Sequence, residues 1–398
     1  MTVLLLGSGF LAATSMIGIL VERKMRSNRK QVGEIIKENF EINNRSIFPK
    51  IWLKITDKSE VPGTAGSRVV TWIGPRQVKT YVSYTLLQKR GWFNLGHTVV
   101  ESGDLFGLFW VKKTFQSENR LLVQPFWYEL NAFPAYSGIQ PGGRALKQKT
   151  LDVTPYAAGV REFVPGDPLK RIHWPSSARK QKLIVKEFEK DPLAEVWIFF
   201  DANENGHIHP EKTNYITLSE TLWEPQRLEL RLPPDTEEYA VTITASIAKY
   251  YIDQKREVGL VAEGRNYFVL SPEKGERQLG KILETLAILR AEGNLPLWKL
   301  VSRQLNHLIK GATVILVTPS PDDQFLSIIP TMILRGLLPV VILIDQKSFG
   351  GNLAPFDLST KLEALGALIY LVKKGDDIKK ILETPQMINT KRHIITRI

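Results

Sequence analysis

The chain contains no cysteine, so disulfide bonds, thiolate metal ligands and a cysteine nucleophile are excluded, while the compartment stays undecided. It also lacks the short patterns that carry common chemistry. There is no Gly-x-x-x-x-Gly-Lys-Ser/Thr, no His-Glu-x-x-His and no Gly-x-Ser-x-Gly, and nothing resembles a helix-turn-helix or a zinc finger. Histidine is scarce, at six residues. His207 and His209 in "NENGHIHP" could reach one metal, but they sit in a polar insertion unlike a rigid site. His173 beside Trp174 reads as a packed, hydrogen-bonded ring and not as a general base. No enzymatic activity is expected from these residues.

Acidic residues are outnumbered, 41 against 53 basic, which gives a formal charge of +12 over 398 residues. That excess attracts polyanions, whether nucleic acid or an anionic membrane, but says nothing about fold. It is concentrated in two places. Residues 22–30 hold five bases and one acid, and residues 144–190 hold eleven bases and five acids. With 43% hydrophobic residues, the remainder has enough apolar material for two or three cores.

The only long uncharged run is residues 1–21, "MTVLLLGSGFLAATSMIGILV". As one helix it would extend roughly 31 Å, close to the thickness of a bilayer's hydrocarbon. A transmembrane anchor is therefore expected at 1–21, followed by a basic juxtamembrane linker at 22–38. The positive-inside tendency would put Arg23, Lys24, Arg26, Arg29 and Lys30 in the cytoplasm with everything downstream, at the cell membrane in single-pass form.

From 39 to 145, short β-type runs alternate with Gly- and Pro-rich turns, which predicts an antiparallel β-sandwich. In "VKTYVSYTLL", Val78, Thr80, Val82, Tyr84 and Leu86 alternate with their neighbours, as on a sheet with one buried face. Asp104 in "SGDLFG" reads as a turn former. From 193 to 398 the pattern becomes continuous apolar runs, "EVWIFFD", "VGLVAE", "TVILVTPS", "PVVILID" and "ALIYLV", separated by helical stretches at 237–254 and 276–290. That combination predicts a doubly wound, mostly parallel sheet, so the fold class is α/β plus all-β. Ligands of such sheets gather at the strands' carboxyl ends, here 201–205, 318–323 and 345–351. The stretch 206–235 is long for a strand-to-helix loop, and its "RLELRL" alternates like an edge strand.

Between these parts lies a signature segment at 146–192. Asp167 followed by Pro168 is a good N-cap and first-turn pair, so "DPLKRIH" is expected to form one short helix that Pro175 ends at Trp174. "PSSARK" would then connect to a strand, "KLIVKEFE". Three readings stay open for the Arg161, Arg171, Arg179 and Trp174 cluster. The favoured one is a structural latch, with the arginines paired to Asp167, Glu162 or carbonyls and Trp174 filling a seam between domains. The others are a docking surface for an acidic partner and a phosphate or nucleic-acid site.

The stretch "GVREFVPGDPLKRIHW..SARK..LIVKEFE", with the strand ending in Asp201 and the following "TEEYAVTITASIAKYY", resembles the bacterial domain-of-unknown-function family numbered fifty-eight. The residues that carry the resemblance are Arg161, Glu162, Pro165, Gly166, Asp167, Arg171, Trp174, Ser177, Ala178 and Arg179. What it implies is a membrane-anchored protein with a β-sandwich and a von Willebrand factor A-like domain, linked to MoxR-type AAA+ ATPases and without an established enzymatic activity. Related A-domains hold a divalent cation with Asp-x-Ser-x-Ser, a Thr and a further Asp. By that comparison Asp201, Asn203, Asn205, Thr236 and Asp322 form a degenerate candidate site for Mg²⁺ or Ca²⁺. The alternative for the same residues is turn capping by Asp201 and the asparagines.

Overall fold

The computed structural model describes residues 2–133, 148–150, 157–164, 172–190, 195–210, 214–218, 232–320, 322–353 and 356–384. The chain divides into two compact units. One comprises residues 1–126 with 210–233 and 283–289, and the other comprises 127–209, 234–282 and 290–398.

The first unit opens with α1 (Thr2–Ser15). Its strands are β1 (Ile19–Met25), β2 (Arg29–Gln31), β3 (Ile35–Asn44), β4 (Lys50–Asp57), β5 (Arg68–Ile73), β6 (Val78–Leu86), β7 (Gly91–Asn94), β8 (Thr98–Gly103), β9 (Trp110–Phe115) and β10 (Arg120–Gln124). Sheets β1-β3-β6 and β5-β4-β8-β9 sandwich a core that includes Met16, Ile19, Val21, Phe40, Leu53, Ile55 and Val100. A third sheet, β2-β10-β7, encloses its own cluster around Ile36, Phe93 and Leu121.

The apolar run at the N-terminus is corrected by this arrangement. It is not one 21-residue helix: α1 stops at Ser15, and after Gly18, at φ +70°, the chain enters β1. A Cβ on Gly18 would lie 2.8 Å from the backbone nitrogen of Ser46, so the turn demands glycine. At 14 residues α1 is about 21 Å long, and no helix among the described residues is long and apolar enough to cross a membrane. Part of the run's hydrophobicity has a different purpose, since Met16, Ile19 and Val21 belong to the sandwich core.

The basic linker expected at 22–38 is likewise strand, taken up by β1, β2 and the start of β3. Arg23, expected beside a membrane, has a side chain 3% exposed. It donates from Nε to Glu38 Oε1 at 2.8 Å, and from Nη1 to Asp57 Oδ1 at 2.9 Å and to the Leu95 carbonyl at 2.6 Å. Its guanidinium also lies 5.3 Å from the centroid of the Phe40 ring. Burial pushes the Glu38 carboxyl above its ordinary range, against the pull of Arg23.

In β6 the buried face is opposite to the one the apolar alternation marks. Tyr81, Ser83 and Thr85 point inward, while Val78, Val82 and Tyr84 are exposed. The register explains it: Phe40 lies opposite Tyr81 and Glu38 opposite Ser83, and directly opposed residues share a face. Tyr81 stacks on Phe40 at 4.9 Å and donates to the Gly66 carbonyl. The face that carries the buried ion pair is the core face, and counting apolar residues scores it wrongly. Asp104 is a turn former, as expected, accepting from the backbone N–H of Phe106 and Phe109. Part of the long 206–235 stretch belongs to this unit, where the Gln88 amide both donates to the Ile216 carbonyl and accepts from its N–H, each at 2.8 Å.

In the second unit, β11 (Gln148–Thr150), β12 (Ala157–Glu162) and β13 (Ile184–Lys190) form a sheet of order β11-β13-β12, and α2 (Trp174–Lys180) precedes β13. Then come β14 (Glu195–Phe200), α3 (Thr236–Asp253), β15 (Glu257–Glu263), β16 (Tyr267–Glu273), α4 (Glu276–Ile288, of which 283–288 count with the first unit), α5 (Leu297–Gln304), β17 (Thr313–Thr318), α6 (Phe325–Leu334), β18 (Leu338–Ile344), α7 (Phe356–Ala364), β19 (Leu368–Val372) and α8 (Ile378–Glu383). The sheet order is β16-β15-β14-β17-β18-β19, parallel except for the edge strand β16. Its parallel strands read as apolar runs because both of their faces are covered. Trp197, Phe199, Leu316 and Leu343 pack with α5, α6 and α7. The alternate residues Ile198, Phe200, Val317 and Ile342 are buried on the other face, where α3 crosses the central strands.

Replacing Arg23 with Met should destabilise the sandwich by about 3–5 kcal/mol, because Glu38 and Asp57 would remain buried without their cation. Urea denaturation of the full chain measures this; a loss below about 1 kcal/mol, the range of an exposed pair, would contradict the role given to Arg23.

Candidate functional site

Strand order in the large sheet reverses between β14 and β17, the position at which open α/β sheets present ligands beyond their strand ends. Asp201 follows β14 directly and is buried. Its Oδ2 accepts from Thr318 Oγ1 at 2.5 Å, at the end of β17, and its Oδ1 accepts from the Asn203 N–H at 3.1 Å. Its carbonyl pairs with His207 Nε2 at 2.8 Å. The other His207 nitrogen lies 3.2 Å from Thr236 Oγ1, which also accepts from the Ile208 N–H. Burial pushes the Asp201 carboxyl up, opposed by His207 and Thr318, and burial holds His207 below its ordinary value.

The loops around this cluster are locked by contact. The bridge Asn203–Gly293 is reinforced by bonds from Gly293 N to the Ala202 carbonyl and from Glu204 N to the Gly293 carbonyl. A Cβ on Gly293 would stand 2.0 Å from the Glu263 carbonyl oxygen, so no side chain fits there. Gln346, after β18, donates to the Gly206 carbonyl at 2.5 Å.

The five residues proposed for a cation therefore divide between different tasks. Asp201 is engaged by Thr318 and Asn203. Asn203 Oδ1 accepts from Asn205 N at 3.0 Å and caps a short 3-10 turn, while the Asn205 side chain is exposed. Thr236 begins α3 with its hydroxyl spent on His207 and Ile208, and Asp322 Oδ1 accepts from Gln324 N at 2.9 Å. Among the described residues no group of three or more His, Asp or Glu side chains could hold a metal ion. His207 and His209 do not converge on one point: their rings stack 6.2 Å apart, and His209 Nδ1 pairs with Asp235 Oδ2 at 3.0 Å. That hydrogen bond, assisted by the charge of Asp235, raises the His209 pKa. Asp235 also caps α3, accepting from the Glu237 N–H at 2.8 Å.

Sequence reasoning missed Thr318, Gln346 and Gly293. The available signal for Thr318 was a hydroxyl ending an otherwise apolar strand, "TVILVT"; the other two have no pattern that marks them.

The signature segment departs from its expected course. Pro165, Gly166, Asp167 and Arg171 lie outside the described residues, as does the side chain of Arg161, whose backbone is in β12. Glu162 pairs with Lys182 at 3.2 Å on the surface. Pro175 does not end a helix but stands in the first turn of α2, where a missing N–H costs nothing. "PSSARK" is thus helix and not a connection. Ser177 is buried and ties α2 to β13, accepting from the Ile184 N–H at 2.9 Å. Ala178 and Arg179 are exposed, and so is Trp174, at 66%, which corrects its expected place as a buried filler. His173 pairs with the Ser176 hydroxyl at 2.7 Å. Residues 227–231 of the alternating "RLELRL" lie outside the described residues.

The family described as "Protein of unknown function DUF58" matches residues 159–216, which run from β12 through α2 and β13 to the Asp201 loop. This segment carries the match to the DUF58 family. The "Uncharacterized protein YeaD" of Bacillus subtilis (strain 168) is 23% identical over 332 residues, covering 80% of this chain and 75% of that protein. Likeness to solved structures is slight. Native E. coli alpha-2-macroglobulin matches at 15% identity and a TM-score of 0.22, covering 39% of this chain and 8% of that one. A GH20 exo beta-N-acetylglucosaminidase from Vibrio harveyi matches at 10% identity and a TM-score of 0.18, covering 48% and 27%. Neither carries an argument about fold or function.

Two measurements test this network. Thr318→Val keeps shape but removes the hydroxyl from a buried carboxylate, and should cost about 1–3 kcal/mol in urea denaturation. Asp235→Asn retains the helix cap and removes the charge beside His209, so the imidazole midpoint read by NMR should fall toward about 6.5. Because the folded value is raised, His209 adds stability below about pH 6.5 and loses it as the pH climbs through that raised value; Asp235→Asn should flatten this slope. An unmoved midpoint would contradict the pairing.

Proposed function

We propose that the chain is a non-enzymatic binding module whose α/β unit takes a protein partner at the face formed by the strand ends. The observation that carries this reading is a strand-end face whose loops are tied together, through the Asp201 carboxylate, Thr318 and Asn203, at the switch point where open α/β sheets present ligands. What the face offers to solvent is surface: Glu204, Asn205 and Asp323 are exposed around it, with Asp322 half-buried. The rim is acidic at β14 and β17, whereas Lys347 is exposed after β18, and the acidic part favours a partner with basic side chains, since complementary potentials steer encounter and fix register. The sheet order supports a doubly wound unit of the von Willebrand factor A-like type, and the partner class that the family resemblance implies is a MoxR-type AAA+ ATPase.

Binding of a purified MoxR-type ATPase to the immobilised chain tests the proposal. The parent chain should bind, and Glu204→Lys with Asp323→Lys should weaken binding about tenfold with a reduced salt dependence. Failure of the parent to bind sinks the partner assignment, and turnover of any substrate by the purified chain sinks the non-enzymatic reading. A calorimetric titration with Mg²⁺ and Ca²⁺ addresses the adhesion-like alternative, in which a cation is completed by a partner's carboxylate. The expected heats are the same for the parent and Asp201→Ala; a heat that only the parent shows would favour the cation site.

A further inference from the structure

One end of the β-sandwich unit exposes large apolar side chains where a folded core would conceal them. The strand registers gather this end. Ile19 lies opposite Asn44, Asn43 opposite Val78, Lys50 opposite Ile73 and Gly103 opposite Trp110. The loops 45–49, 74–77 and 104–109 therefore emerge together. α1 joins them: it packs against β8 and β9, Phe10 meets Phe48 edge-on at 6.0 Å, and the Thr14 carbonyl accepts from the buried Lys50 ammonium at 2.6 Å.

From this end project Leu6 (75% exposed) and Phe10 of α1, Ile47 (66%), Trp72 (62%), Phe106 (64%) and Trp110 (63%). The loop "DLFGLFW" at 104–110 is apolar or aromatic in five of its seven positions, and all five of those side chains are exposed. Its one carboxylate, Asp104, is turned inward to the backbone of Phe106 and Phe109, which holds the loop in shape. Trp72 is presented at φ +50°, a left-handed conformation that a bulky residue rarely adopts. An exposed patch of this size marks an interaction surface.

Charge identifies the occupant. Arg45, Arg76 and Lys112 are exposed among these side chains. In the stretches 2–18, 44–50, 72–80 and 104–115 the single acid is the buried Asp104. Aromatic and aliphatic tips flanked by Arg45, Arg76 and Lys112, with Glu101 opposite Lys112 as the nearest acid across the β8–β9 pair, fit an anionic lipid surface, where Trp sits at headgroup depth and Arg or Lys meets phosphate. We propose that this end of the sandwich docks on an anionic bilayer, with the 104–110 loop, Ile47 and Trp72 entering the interface and Arg45, Arg76 and Lys112 meeting the headgroups. This is peripheral insertion of loop tips; it needs no spanning helix and does not rest on the α/β unit's partner.

The test is co-sedimentation of the purified full chain with vesicles of phosphatidylcholine, with and without phosphatidylglycerol. Partitioning should be about tenfold stronger with phosphatidylglycerol and should weaken with added salt. Phe106→Asp with Trp110→Asp should reduce it about tenfold while circular dichroism stays unchanged, since both side chains are exposed. Arg45→Glu with Arg76→Glu should abolish the preference for phosphatidylglycerol. The proposal is overturned if the chain stays in the supernatant, if both double variants sediment like the parent, or if centrifugation without lipid shows a dimer that Phe106→Asp with Trp110→Asp dissolves.

Discussion

A charge taken out of water has to find its counterpart inside the protein, and each unit is organised around one such demand. In the sandwich the demand is made by Arg23, which draws Glu38 from β3, Asp57 from β4 and the Leu95 carbonyl to one point. A guanidinium suits this task because its forked donors reach several acceptors at once while its flat face rests on Phe40. Buried ion pairs add little stability over an apolar filling, but removing one member is costly, so they fix which strands lie together. The register of β1 on β3 is the only one that opposes Arg23 to Phe40 and keeps both acids within reach.

The α/β unit meets the same demand at Asp201. Four chain segments converge there: the end of β14, the end of β17, the start of α3 and the turn after β18. The Thr318 hydroxyl and the Asn203 N–H supply donors, and His207 completes the set as a buried ring linking Asp201 to Thr236. Asp201, Thr318, His207 and Thr236 thus hold one another in place at the switch point, while Glu204, Asn205 and Asp323 on the outer rim of the strand ends are exposed.

The large sheet was legible because strands buried on both faces read as unbroken apolar runs, and five of its six strands fall where such runs stand in the sequence. The sixth, β16, alternates in burial and is an antiparallel edge, so it gives no such run. In the sandwich, alternation was legible but its sense was not. A face that carries Glu38 and Ser83 looks like a solvent face to any count of apolar residues, and only the third dimension shows that Arg23 makes it a core face. Residues 22–38 look like a basic linker for the same reason. Around Asp201 the strand ends 318–323 and 345–351 were marked in the sequence, yet the contacts made there by Thr318 and Gln346, more than a hundred residues away, have no local spacing to disclose them.

The N-terminal run and the loop tips teach one further point about hydrophobicity. Apolar length alone does not distinguish an exposed surface from a core, and here the same uninterrupted run is divided between the two. Gly18 divides it, sending Ile19 and Val21 into the sandwich while Leu6 and Phe10 stay outside. A core would have collected Leu6 and Phe10, just as it collected Met16, had burial been available to them. Their exposure alongside Phe106, Trp110 and Trp72 is therefore a property of the surface as a whole, shared by segments distant in sequence. Hydrophobic side chains from four separate segments meet at one end because the strand registers of the two sheets bring those segments to the same edge of the sandwich.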